Sequence, residues 1–140
     1  MSVKTDNYKC VEFNVIENDS GSLISIEREY LPFIVKRAYY IYNVKENKAR
    51  GFHAHKNLEQ LLICVNGSCE ISVCDGKEKK LIKLDNPYVG LYLKGLVWRE
   101  MYNFTRDAVL LVLASDVYDE LDYIRDYSEF MTIVNKETCR

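Results

Sequence analysis

His53 and His55 are the only histidines in the chain, one residue apart in Arg50-Gly51-Phe52-His53-Ala54-His55-Lys56. The stretch reads as β-strand. Side chains two apart on a strand share a face, so both imidazoles would project into one space. Imidazole titrates near neutrality, with an unperturbed pKa of about 6.5. Two on one face suit either a metal ion or proton transfer, and the elements around them must discriminate.

Those elements read as strands at near-regular spacing. Leu23-Ile24-Ser25-Ile26 follows a Ser20-Gly21 turn. Phe33 to Val44 is a long β-branched and aromatic run after Pro32, with Arg37, Tyr39 and Ile41 on one face and Ala38, Tyr40 and Tyr42 on the other. Further strands are expected over Gly51–His55, Gln60–Val65, Ser68–Cys74, Lys79–Leu84, Tyr88–Leu93, Val97–Met101 and Ala108–Ala114. Asn66-Gly67 and Asp75-Gly76 are hairpin signals between them. From Asp119 the alternation stops, and a short helix is expected over Tyr127–Asn135. The rhythm predicts one all-β domain spanning residues 1–140, an antiparallel sandwich or barrel with a helical tail.

Bulk properties exclude several classes. A net charge of −2 leaves no basic footprint for nucleic acid and no polybasic membrane patch. No apolar run approaches the roughly 20 residues that span a bilayer. Met1 to Lys9 is polar and lacks a signal-peptide core, so a cytoplasmic protein is expected. The five cysteines are odd in number and form no Cys-x-x-Cys pair, which reads as free thiols rather than a zinc site or disulfide framework. Eleven tyrosines supply core rings and also suit a ligand with sugar rings and hydroxyls.

Small barrels of the cupin type carry two motifs. One has Gly, five residues, His-x-His, three or four residues, Glu, six residues and Gly; the other ends in His, three residues and Asn. Here His55 is followed after four residues by Gln60, and after six more by Gly67. Arg99 precedes Asn103 by the spacing of the third histidine. A cupin metal site needs three imidazoles and a carboxylate. A guanidinium is always cationic and cannot coordinate, and Gln60 is a neutral amide. Glu59 sits beside it with the opposite strand parity. The expectation is therefore no metal and no cofactor, with His53 and His55 serving as proton-transfer groups.

Six segments in order carry a resemblance. They are Arg50 to Lys56, Leu58-Glu59-Gln60, Val89-Gly90-Leu91-Tyr92, Val97-Trp98-Arg99-Glu100-Met101, Val112 to Asp116, and Tyr118-Asp119-Glu120-Leu121-Asp122-Tyr123-Ile124-Arg125. Together they resemble the sugar 3,4-ketoisomerases, WxcM-like cupins that act on thymidine-diphosphate 4-keto-6-deoxyglucose. The match runs from about Gly21 to Phe130. The resemblance implies a cupin-type jelly roll and a metal-independent isomerase that moves the carbonyl from C-4 to C-3. Its product would feed a 3-amino-3,6-dideoxyhexose of bacterial surface glycans.

By this resemblance His53 and His55 form the acid–base centre, with His55 the carbon base and His53 serving the O-4/O-3 proton. Arg37, Arg50 and Arg125 are candidates for the diphosphate, whose paired charges suit bidentate guanidinium contacts. Tyr39, Gln60, Trp98 and Arg99 are further candidates for the sugar or thymine. The family carries His or Arg at the position of Arg99, and Arg goes with the gluco product. A second position tied to that choice holds Ser20 where Arg or Tyr is expected, so both configurations at C-4 stay open. The resemblance also implies a homodimer with exchanged N-terminal strands, Lys4 to Cys10 leading into Val11-Glu12-Phe13. Three other readings are a 3,5-epimerase of the same nucleotide sugars, a metal-dependent oxygenase and a non-catalytic sugar-binding cupin.

Overall fold

Alternating and continuous apolar runs build two five-stranded antiparallel sheets in the computed structural model, which describes residues 7–138. The first has the order β1 (Tyr8–Glu12), β9 (Val89–Lys94), β6 (Glu59–Asn66), β11 (Val109–Ala114), β4 (Arg37–Tyr42). The second runs β12 (Tyr123–Ile124), β5 (Arg50–His55), β10 (Trp98–Tyr102), β7 (Cys69–Cys74), β8 (Lys79–Leu84). A separate hairpin joins β2 (Ile16–Asn18) to β3 (Gly21–Leu23). One helix, α1 (Tyr127–Thr138), follows. This is an all-β jelly roll with a C-terminal helix.

The main core lies between the sheets and holds Leu62, Cys64, Ile71, Val73, Leu91, Leu93, Met101, Leu110 and Val112. The outer face of the first sheet buries Phe13, Leu61, Ile63 and Tyr92 beneath residues 24–33. Burial on both faces explains why β6 reads as an unbroken apolar run. The outer face of the second sheet presents Ala54, Trp98 and Ile124 to Phe130 and Val134, one turn apart on α1. Asp126 caps that helix, its Oδ1 accepting from Glu129 N at 2.9 Å. Among the described residues no helix is long and apolar enough to cross a membrane.

Three expectations need correction. Asn66-Gly67 closes no hairpin: β6 and β7 lie in different sheets, and the turn carries the chain across the core. Asn66 Nδ2 donates to Asp107 O at 2.8 Å, and Ser68 N donates to Thr105 Oγ1 at 2.9 Å, which anchors the corner to the β10–β11 loop. Asp75-Gly76 does join paired strands, β7 and β8. The run Phe33–Val44 is strand only over Arg37–Tyr42, where a partner exists in β11. Likewise Ile24 and Ile26 are half-buried cover for the outer core without a strand partner. Lys4 to Asp6, the start of the segment expected to exchange, lies outside the described residues, while β1 pairs with β9 of its own chain.

Candidate active site

The site opens between the two sheets, where β4 ends one and β12–β5 ends the other. A β-bulge in β5 shapes it. Arg99 pairs with His53, Glu100 with Gly51 and Met101 with Arg50, so Phe52 is the extra residue. Gly51 and Phe52 take φ of +93° and +59°. A Cβ at Gly51 would stand 3.0 Å from Arg99 O, so only glycine suits that position. Arg50 and His53 are three residues apart and would face opposite ways on a regular strand. The bulge returns Arg50 to the inner side, while Phe52 keeps the exposed outer side.

His55 is 1% exposed. Its Nδ1 lies 3.0 Å from Asp122 Oδ2, and its Nε2 is buried without a hydrogen-bond partner. Asp122 Oδ1 accepts from Asn57 N at 2.9 Å. His53 is half-buried and stands edge-on to His55, ring centres 4.9 Å apart. Tyr123, paired with His55 across β12 and β5, sets its ring 4.4 Å from His55 and 5.0 Å from His53.

Behind the histidines is a buried cation. Arg99 is 1% exposed; it donates from one terminal nitrogen to Gln60 Oε1 and from the other to Val97 O at 3.2 Å. Gln60 Nε2 in turn donates to Tyr39 OH at 3.1 Å, which leaves the phenol's own proton free to donate elsewhere. Burial first, then the charge of Arg99, lowers His53 to a pKa of about 4 and His55 to about 2. Both imidazoles are neutral at pH 7. Burial lowers Arg99 to about 10, so it keeps its charge, and burial raises the Tyr39 phenol. An interior that carries a guanidinium without a carboxylate hydrogen-bonded to it is set up for negative charge arriving from outside.

A cavity of about 360 Å³ is lined by Arg37, Tyr39, Arg50, His53, Tyr123 and Arg125. A smaller one of about 150 Å³ adjoins it through Arg37 and Tyr123 and reaches His55 and Asp122. Arg37 stacks over Tyr39 at 5.1 Å. Arg125 covers Tyr123 at 4.2 Å, with its fork paired to Glu120 at 2.8 and 2.9 Å. The donor set does not fit a cupin metal ion: Arg99 fills the third ligand position and both ends of Gln60 are engaged. Glu59 points away and accepts from Tyr92 OH.

Of the expected site residues, His53, Arg37, Tyr39, Arg50 and Arg125 line the larger cavity and His55 the smaller. Gln60 and Arg99 support them from behind. Trp98 does not join them. Strand parity puts it opposite Arg99, against Tyr127 and Phe130 of α1, its Nε1 donating to Glu100 Oε2 at 2.8 Å. Ser20 lies on the exposed β2–β3 turn, outside both cavities. Asp122 and Tyr123 are the residues that sequence reasoning missed. Both lie in the segment Tyr118 to Arg125, and Asp122 is 67 residues from His55.

Comparison with known proteins bears on this arrangement. The family model described as "FdtA: WxcM-like, C-terminal" matches residues 6–135. A TDP-4-oxo-6-deoxy-alpha-D-glucose-3,4-oxoisomerase from Aneurinibacillus thermoaerophilus is 50% identical over 129 residues, 91% of this chain and 93% of that protein. A 3,4-ketoisomerase from Helicobacter canadensis is 51% identical with a TM-score of 0.89, covering 92% of this chain and 98% of its own. A sugar 3,4-ketoisomerase from Thermoanaerobacterium thermosaccharolyticum, solved with TDP, is 46% identical with a TM-score of 0.91, covering 95% and 98%. With nearly the whole chain matched at this identity, the protein belongs to the WxcM-like, C-terminal (FdtA) family.

Proposed function

We propose that the protein is a TDP-4-keto-6-deoxyglucose 3,4-ketoisomerase that works by histidine acid–base chemistry. The observation that carries this reading is a pair of neutral imidazoles in a buried, cationic pocket. A C-3 proton next to the C-4 ketone is acidified by that carbonyl. An unprotonated imidazole takes it, the C–H electron pair moves toward O-4, and an enediolate forms. The O-3 proton passes to O-4, the C-3 carbonyl closes, and C-4 receives a proton. Every atom and electron stays within the sugar and the solvent-exchangeable protons, so no oxidant or reductant enters.

His55 is the carbon base in this reading, its Nε2 bare, and His53 carries the oxygen proton. Such groups contribute about 10²–10⁴-fold each. Arg99 stabilises the enediolate charge from beneath, and the phenol proton of Tyr39 is available to the sugar oxygens. Arg37, Arg50 and Arg125 would bind the diphosphate.

Nuclear magnetic resonance of the 4-keto substrate with protein in D₂O tests this. A 3-keto product deuterated at C-4 is expected, its couplings reporting the configuration. Unchanged substrate would point to a binding module, and exchange confined to C-5 to an epimerase.

The same reading includes a homodimer with exchanged N-terminal strands. An apolar groove of about 890 Å³ on the outer face of the first sheet, lined by Phe13, Ile24, Ile63, Val65 and Leu111, supports a partner there. β1 is a sheet-edge strand that the partner's copy could replace in register. Light scattering should give a dimer, and deletion of residues 1–12 should dissociate it. The free thiols of Cys10, Cys64, Cys69 and Cys74 fit a cytoplasmic location.

A further inference from the structure

Gln60 occupies the carboxylate position of the cupin motif, and its amide ties the two sheets together. It lies on β6, 2% exposed, between Arg99 of the opposite sheet and Tyr39 of β4. Ala114 of β11 pairs with Gln60 on one side and Arg37 on the other, and its small side chain leaves the amide room to reach across. A guanidinium only donates, so the amide must present Oε1 to Arg99. Nε2 is thereby turned to Tyr39 and donates to its oxygen at 3.1 Å. Arg37 covers the Tyr39 ring at 5.1 Å and, as a guanidinium, offers the phenol proton no acceptor. That proton belongs to the larger cavity, which Tyr39 lines.

We propose that Gln60 is a positioning residue that holds the Tyr39 hydroxyl as a hydrogen-bond donor to an oxygen of the bound sugar. The bonds then run one way, from guanidinium to amide to phenol to ligand, and each donation polarises the next group. A carboxylate in the same place would reverse the end of this chain. It accepts from both neighbours, so the phenol proton would turn back into the protein and Arg99 would be held in an ion pair. The amide therefore preserves both a free buried charge and a donor aimed at the ligand. With both polar ends engaged, Gln60 itself makes no contact with the sugar. The effect on rate rests on the isomerase reading, whereas the direction of the bonds is measured without substrate.

Titration of the Tyr39 phenol reads that direction. Biosynthetic 3-fluorotyrosine, whose phenol titrates lower than that of tyrosine, reports it by ¹⁹F magnetic resonance, and Tyr39→Phe assigns the signal. A donor on the phenol oxygen favours the phenolate. Gln60→Met removes the donor without changing charge, so the titration should move to higher pH. A phenol that donated to the amide would instead lose its acceptor and titrate at lower pH. A downward shift, or none, overturns the proposal.

Rates supply the second arm. Gln60→Glu should lower kcat/KM by about 10²–10³-fold, the loss expected when a donor to a developing oxyanion is removed. In a Tyr39→Phe background the same substitution should cost at least about tenfold less, because the group it acts through is gone. Equal losses in both backgrounds would confine Gln60 to Arg99 or to packing and overturn the proposal, as would wild-type activity in a folded Gln60→Glu. If the phenol titrates as expected but the wild-type protein forms no 3-keto product, the isomerase reading fails and the Gln60–Tyr39 assignment stands.

Discussion

The two faces of the β12-β5-β10-β7-β8 sheet carry adjacent residues to opposite ends. On the outer face Ala54, Trp98 and Ile124 meet Phe130 and Val134 in a closed apolar layer. On the inner face their sequence neighbours His55, Arg99 and Tyr123 surround polar atoms that the protein leaves unpaired, including His55 Nε2 and Arg99 Nε. A buried polar atom without a partner costs about 1–3 kcal/mol, so the end of the inner face that holds these atoms is a cost to folding. The outer face offsets it. One strand thus supplies stability on one side and chemistry on the other, and a shift of a single residue would exchange them.

The sharpest way to break this comparison is to alter one face and read both properties. His55→Asn should lower the isomerisation rate by at least about 10²-fold and leave the melting temperature nearly unchanged; comparable loss in both would erase the distinction between faces. Trp98→Ala should do the converse. Truncation of a buried aromatic costs about 3–5 kcal/mol, visible as a lower denaturant midpoint, while kcat measured well below the transition stays within about threefold of wild type.

Acid titration probes the inner face alone. The base must be unprotonated, and with the His53 pKa lowered to about 4 and that of His55 to about 2, the rate should hold as pH falls through 6.5 and decline only near 4. Stability has the same sign. Below about 6.5 the unfolded chain binds protons that the folded histidines refuse, so stability is full above that pH and declines toward 4 at about 1.4 kcal/mol per pH unit per histidine. Replacement of Arg99 by Met removes a charge that depresses both imidazoles. The acid limb should then move upward, as a pH–rate profile would register; an unmoved limb would exclude Arg99 from the electrostatics.

The smallest effect is expected at the rim. Glu120 occupies the guanidinium fork of Arg125, where a diphosphate oxygen pair would sit. Glu120→Gln should lower KM for the nucleotide sugar by about threefold without changing kcat. A raised KM would instead make that ion pair part of the binding surface.

Much of this was legible beforehand wherever the information is local. Strand periodicity put His53 and His55 on one face and separated Gln60 from Glu59, because alternation is a property of the backbone itself. Trp98 shows the same rule neglected: it neighbours Arg99, so the two cannot both face the cavity. Asp75-Gly76 and Asn66-Gly67 carry equal turn chemistry, yet only the first closes a hairpin. The turn bends the chain, but the pairing partner decides which sheet receives it.

By itself the sequence determined most of the strand segments, the C-terminal helix, the shared face of the two imidazoles and the misfit to a metal-ligand set. Each follows from residue type and near-neighbour spacing. Tertiary structure alone decided that Arg50 turns inward, since the bulge at Gly51-Phe52 exists only in register with β10. It also brought Asp122 to His55 across 67 residues. Contacts at that separation depend on where distant strands pair, and burial by those strands is what keeps the histidines neutral.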